Sequence, residues 1–124
     1  MTDVTINHEG YLEKRARKSG RNWKKRYFTL QSYQNYSSVL IYREAPGKKE
    51  KGRLVLTPHA KCQKSESDKK NYVLEIICDV TNSSGETMFV SASSQNELEK
   101  WLLELAIVTS KLKDKHLARA SQAN

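Results

Sequence analysis

The hydrophobic period of this sequence changes once, and that change restricts the folds open to it. Up to Ala92 the apolar residues come in short, mostly alternating runs, separated by polar clusters carrying Gly, Pro, Asn and Ser. After Ser94 they recur at steps of three and four: Leu98, Trp101, Leu102, Leu105, Val108 and Leu112. Ser94 followed by Glu97 has the spacing of a capping box at a helix start. Glu97 and Glu99 near that start, and Lys111, Lys113 and Lys115 further on, suit the helix dipole. The expectation is a mainly β chain with one C-terminal helix, an antiparallel sandwich or barrel closed at one end by that helix. Trp101, on the apolar face of the helix, is expected in the core.

The strands can be placed in turn. Glu9 to Arg17 alternates, with Gly10, Leu12 and Lys14 on one face. Lys18-Ser19-Gly20-Arg21-Asn22 has the residues of a turn. Lys24 to Gln31 alternates again, with Lys24, Arg26, Phe28 and Leu30 on one face, and Gln31 to Ser38 is polar and turn-like. Further strands are expected at Val39–Tyr42, Arg53–Leu56, near Ala60–Lys64, at Tyr72–Cys78 and at Thr87–Ala92, seven in all. Residues 1–8 lack periodicity and read as a lead-in, 9–113 as the domain, and 114–124 as a polar tail that frays.

Charge concentrates on the first hairpin. The 124 residues carry 22 basic and 14 acidic side chains, a net charge of +8, which favours polyanions such as nucleic acid, acidic lipid or an acidic protein. From Lys14 to Arg26 there are eight basic residues and no acidic one. If Leu12, Phe28 and Leu30 enter the core, alternation carries Lys14, Lys24 and Arg26 along the same inner face toward the hairpin's open end. Three cations then converge there instead of splaying into water. A second cluster, Arg43, Lys48, Lys49, Lys51 and Arg53, is diluted by Glu44 and Glu50 and reads equally well as a solvated surface.

Other chemistries find little support. His8, His59 and His116 are scattered, and no carboxylate pair, Gly-rich phosphate loop or His-Glu-x-x-His spacing occurs; neither an enzyme nor a cofactor is expected. Cys62 and Cys78 lack CxxC spacing and a nearby histidine, so no metal site is expected. They are expected as reduced thiols, with a disulfide left open if their strands are neighbours. No apolar run approaches the ~18 residues of a membrane span, and the opening MTDVTINHEG has no signal-peptide pattern. A soluble, intracellular chain is expected, its initiating Met pointing to an N-terminal position.

Four pieces in order resemble a pleckstrin homology (PH) domain over roughly residues 8–112. They are Gly10-Tyr11-Leu12-Glu13-Lys14, then Trp23-Lys24-Lys25-Arg26-Tyr27-Phe28-Thr29-Leu30, the Lys51-Gly52 pair opening the fourth strand, and Trp101 within Glu-Lys-Trp-Leu. The start, Met-Thr-Asp-Val and later Glu-Gly-Tyr-Leu-Glu-Lys-Arg, is most similar to the PH domain of the protein kinase B (Akt) family. The resemblance implies a seven-stranded, strongly bent sheet capped by the helix, with Trp101 packed on the barrel end. It also implies a pattern for phosphoinositide readers: a first-strand Lys, then a basic residue, one position, and an Arg before a hydrophobic. Lys14, Lys24 and Arg26 match it, followed by Tyr27 and Phe28.

On this resemblance the headgroup phosphates are assigned to Lys14, Lys24, Arg26, Arg21, Arg17 and Lys51. The anionic leaflet is assigned to Arg15, Lys18 and Lys25. Two positions depart from the pattern of 3-phosphoinositide readers: Ile41 stands about where many carry a third-strand Tyr, and Glu86 where protein kinase B has a basic residue. The implied function is a phosphoinositide-binding module, cytoplasmic and recruited to the plasma membrane or another phosphoinositide-containing membrane, with a lean toward 3-phosphorylated headgroups. The alternative is a protein-interaction module on the same scaffold. Nucleic acid is not expected, because no aromatic base-stacking platform accompanies the basic patch.

Overall fold

The computed structural model describes residues 3–16, 22–34, 37–66, 70–78 and 86–122, with the backbone alone at Glu86 and over 120–122. Seven strands precede one helix: β1 Val4–Arg15, β2 Trp23–Tyr33, β3 Ser38–Arg43, β4 Glu50–Leu56, β5 Lys61–Ser65, β6 Val73–Cys78, β7 Glu86–Ser91 and α1 Gln95–Gln122. They form a single antiparallel sheet in the order β4-β3-β2-β1-β7-β6-β5. Its two halves join where β1 meets β7, through the pairs Glu13–Ser91 and Lys14–Val90. Leu12, Phe28, Leu30, Leu40 and Leu54 from one half and Leu74, Ile76 and Val90 from the other share one buried cluster. The sheet therefore folds over on itself, since inner faces from both halves reach the same core.

The helix completes that core. Trp101 is 1% exposed, and Leu98, Leu105, Val108 and Leu112 are buried with it. The His8 ring stands edge-on to Trp101 with centroids 4.4 Å apart, joining β1 to α1. Ser94 caps the helix as its spacing predicts: its hydroxyl accepts the Glu97 amide at 3.2 Å, and its carbonyl accepts the Leu98 amide at 3.0 Å.

Several boundaries differ from the sequence reading. β1 begins at Val4, within the stretch read as a lead-in, and β2 runs on to Tyr33, within the stretch read as a turn. These two extensions pair with each other, Val4 opposite Tyr33 and Thr5 opposite Ser32. Ladder hydrogen bonds need no apolar side chains, and a register irregularity between Ile6 and His8 breaks the period that would have shown the strand. β4 likewise begins at Glu50, ahead of Arg53. The helix extends to Gln122, well into the tail expected to fray; Ala and Arg in that stretch are good helix formers.

Cys62 and Cys78 are free thiols although β5 and β6 are adjacent. Cys62 lies opposite Ile76, two positions from Cys78, so the two are offset along the ladder. Burial pushes both thiols up, Cys62 to about 11, with the nearby Cys78 adding to its shift. Among the described residues no helix is long and apolar enough to cross a membrane.

Candidate functional site

The first hairpin carries its inner-face cations where alternation puts them. Lys14 of β1 lies directly opposite Lys24 of β2, and Arg26 lies opposite the core residue Leu12. Like charges in direct cross-strand register repel, at a cost of a few tenths to about 1 kcal/mol. Beyond the buried Leu12 and Phe28 these side chains open into a cavity of about 300 Å³ lined by Lys14, Ala16, Lys24, Arg26, Tyr42 and Lys51. Among the described residues that line it, none is acidic.

Tyr42 and Lys51 come from β3 and β4 by two local devices. Tyr42 lies opposite Phe28, with ring centroids 5.5 Å apart, and the Lys14 ammonium stands 5.1 Å from the centre of its ring. On its other side Tyr42 pairs with Gly52. A Cβ at Gly52 would lie 2.4 Å from the Tyr42 hydroxyl oxygen, so only a glycine there lets the ring cross β4.

The β3–β4 register then slips: Tyr42 opposes Gly52 while Arg43 opposes Glu50. Lys51 is the extra residue of this bulge, which re-aims its side chain. Its neighbours on the outer face of β4 point to solvent, Val55 being 59% exposed, whereas Lys51 lines the cavity. Glu44 holds it through an ion pair of 3.3 Å.

Arg26 Nη1 donates to the Lys25 carbonyl at 2.9 Å. Arg53 instead forms a two-pronged pair with Glu50, at 2.8 and 2.6 Å, which holds the Glu50 carboxyl below its usual range. Of the second basic cluster, the cavity takes Lys51 among the described residues.

Arg15 and Lys25 occupy the opposite face. Arg15 lies over the Phe89 ring at 3.8 Å and Lys25 over Tyr11 at 4.5 Å, while Tyr11 and Tyr27 meet edge-to-face at 5.1 Å. Lys70 pairs with Glu13 and lies over Trp23 on the same side. Arg17, Lys18 and Arg21 fall outside the described residues, as does the side chain of Glu86.

Tyr42 is the cavity residue that sequence reasoning missed. Ile41, the third-strand position to which the resemblance points, is buried. The signal was present: Tyr42 lies two residues beyond the core residue Leu40 and so shares its face.

The arrangement is suited to binding. Arginine can grip a phosphate through two parallel hydrogen bonds, while lysine ammoniums act as point charges. The cavity gathers four such cations and one tyrosine.

Known proteins share this architecture. The C-terminal PH domain of pleckstrin in complex with D-myo-Ins(1,2,3,4,5)P5 is 22% identical, with a TM-score of 0.67 over 84% of this chain and 98% of that one. The PH domain of human oxysterol binding protein-related protein 11 is 22% identical, with a TM-score of 0.66 over 91% of this chain and 85% of that one. The DH/PH fragment of PDZRhoGEF, in a complex with human RhoA, is 17% identical, with a TM-score of 0.67 over 87% of this chain and 29% of that one. No curated protein matches the sequence. The family model of the PH domain matches residues 6–110. With that match, and with the bent seven-stranded sheet capped by α1, the chain belongs to the PH-domain family.

Proposed function

We propose that this PH domain binds the phosphorylated inositol ring of a phosphoinositide or inositol phosphate, and that this binding docks it on anionic membranes. The carrying observation is the direct opposition of Lys14 and Lys24 at a cavity that also takes Arg26 and Lys51. Cations held against their mutual repulsion, with no acid among the described lining residues, form a site whose repulsion an anion relieves. The pleckstrin domain bound to an inositol pentakisphosphate supports the same reading by fold.

In this reading Lys14, Lys24, Arg26 and Lys51 take the phosphates, with Arg17 and Arg21 joining them from the hairpin tip. Arg15, Lys18 and Lys25 meet the leaflet, at roughly 1 kcal/mol per cation near an anionic surface. That part is screened by salt over ~8 Å at physiological ionic strength. A preference for 3-phosphorylated rings rests on the likeness of the opening residues to protein kinase B; Tyr42 supplies a third-strand tyrosine at the cavity, while the acidic Glu86 stands against the preference. The protein is then cytoplasmic and recruited to membranes carrying that lipid.

Liposome co-sedimentation across a phosphoinositide panel at physiological salt, with wild type and Arg26→Ala, tests the proposal. Loss of a charge-assisted phosphate contact is worth about 1.5–3 kcal/mol, roughly 10- to 100-fold in affinity. Selective pelleting with one headgroup, lost in Arg26→Ala, is the expected result. Equal pelleting with every anionic liposome, indifferent to Arg26→Ala, would reduce the site to a charged surface. No pelleting would direct attention to a protein partner.

A further inference from the structure

A second depression lies at the other end of β1, and we propose that it binds a single small oxyanion group, carboxylate or phosphate, on a ligand separate from the one in the cationic cavity. Thr5 lies nine positions from Lys14 along β1, roughly 30 Å at 3.3 Å per residue, too far for the two sites to share a headgroup. The depression encloses about 200 Å³ between the ends of β1, β2 and β3 and the helix, and its polar lining includes Thr5, Asn7, Ser32, Tyr33, Gln34 and Lys111. Among the described residues that line it, none is acidic.

The local structure explains how these groups converge. Thr5, Ser32 and Ser38 stand opposite one another across β1, β2 and β3. Asn7 is the extra residue where the β1–β2 register slips, Ile6 opposing Gln31 and His8 opposing Leu30. The bulge turns Asn7 toward the row, where Ser32 Oγ donates to its Oδ1 at 2.8 Å. That contact uses the one Ser32 proton, so Ser38 is the donor in the 3.0 Å contact between the two serines.

An account of donors and acceptors gives the ligand's chemistry. With its carbonyl oxygen engaged, Asn7 has its amide N–H groups left to give. The Tyr33 hydroxyl accepts from Gln31 Nε2 at 2.8 Å and meets Arg53 as well, so it is not counted among the donors. Thr5 adds a hydroxyl, Gln34 an amide and Lys111 a full positive charge. Mutual hydrogen bonding accounts for Ser32, Ser38 and the Asn7 carbonyl. It leaves the Asn7 amide and the Lys111 ammonium without an acceptor among the described residues. A surplus of donors around one cation matches an oxyanion.

The test uses the full chain carrying Arg26→Ala, which weakens anion binding at the cationic cavity. Sodium phosphate, sodium acetate and sodium chloride are titrated at equal ionic strength while backbone amide NMR shifts are followed. Saturable shifts at Thr5, Asn7, Ser32 and Gln34 are expected with phosphate, acetate or both, and not with chloride; the responding salt distinguishes a phosphorylated from a carboxylate ligand. Lys111→Gln is expected to weaken the response at least about tenfold. Asn7→Asp keeps the acceptor for Ser32 but adds a negative charge, and is expected to abolish it. Unchanged shifts elsewhere in the spectrum show that both variants are folded. Linear shifts, shifts equal to those in chloride, or a response indifferent to Lys111→Gln would overturn the proposal.

Discussion

The two ends of β1 use the same device for different chemistry. At each, a register slip leaves one extra residue facing the groups around it: Lys51 in β4 at the cationic cavity, and Asn7 in β1 at the far depression. At the far end the extra residue enters a hydrogen-bond chain that engages Ser32, Ser38 and its own carbonyl oxygen. At the cationic end it joins Lys14, Lys24 and Arg26, whose charges repel. Bulges of one kind thus build a site braced by hydrogen bonds among its own members and a site that gathers like charges. The difference teaches that register sets where a side chain points, while the side chain decides whether that position stabilises the fold.

After Arg26→Ala, the largest expected effect of breaking one end alone comes from Gly52→Ala. Its Cβ would sit 2.4 Å from the Tyr42 hydroxyl oxygen, so the ring must leave its place beside Lys14. Calorimetric titration with a soluble inositol phosphate is expected to show affinity down by roughly tenfold, about 1.4 kcal/mol. The amide shifts of Thr5 and Ser32 stay where they are. Unaltered affinity would mean that Tyr42 contributes nothing to the cavity.

Opposite signs at the two ends sharpen the comparison. Lys24→Gln removes the repulsion from Lys14, so the ligand-free protein is expected to gain about 0.2–1 kcal/mol while losing headgroup binding. Ser32→Ala, which leaves Asn7 and Ser38 short of a partner, is expected to lose roughly 1 kcal/mol. Chemical denaturation of both variants reads the signs directly, and equal losses would remove the contrast.

The smallest effect is expected at Glu44→Gln. Glu44 occupies Lys51 through an exposed ion pair, and such pairs are worth ~0–1 kcal/mol. Releasing the lysine is expected to tighten headgroup binding by about twofold at low salt, with the gain fading as salt rises. A weaker affinity would instead show that Glu44 positions Lys51 for its ligand.

Much of the cationic cavity was legible before any coordinates. An antiparallel hairpin with core residues at Leu12, Phe28 and Leu30 must carry Lys14, Lys24 and Arg26 on the same face, because strand alternation has a period of two. Tyr42 was legible by the same rule from Leu40. Lys51 was assigned through family resemblance, and alternation counted back from Leu54 would have put it on the outer face. Its place depends on a bulge, a property of how two strands pair and not of either one. The same applies to Asn7, and to residues 4–8, whose polar strand shows no period once the slip interrupts it.

By itself the sequence determined the order of strands and helix, the capped start at Ser94, the core face with Trp101, and the convergence of hairpin cations. Each follows from local periodicity or from short-range backbone chemistry. Tertiary structure alone decided the two bulges, the glycine opening that admits Tyr42, and the meeting of Lys111 on the helix with hydroxyls from three strands. Those depend on register and on contacts between residues far apart in the chain, and no local pattern encodes the offset at which two strands settle.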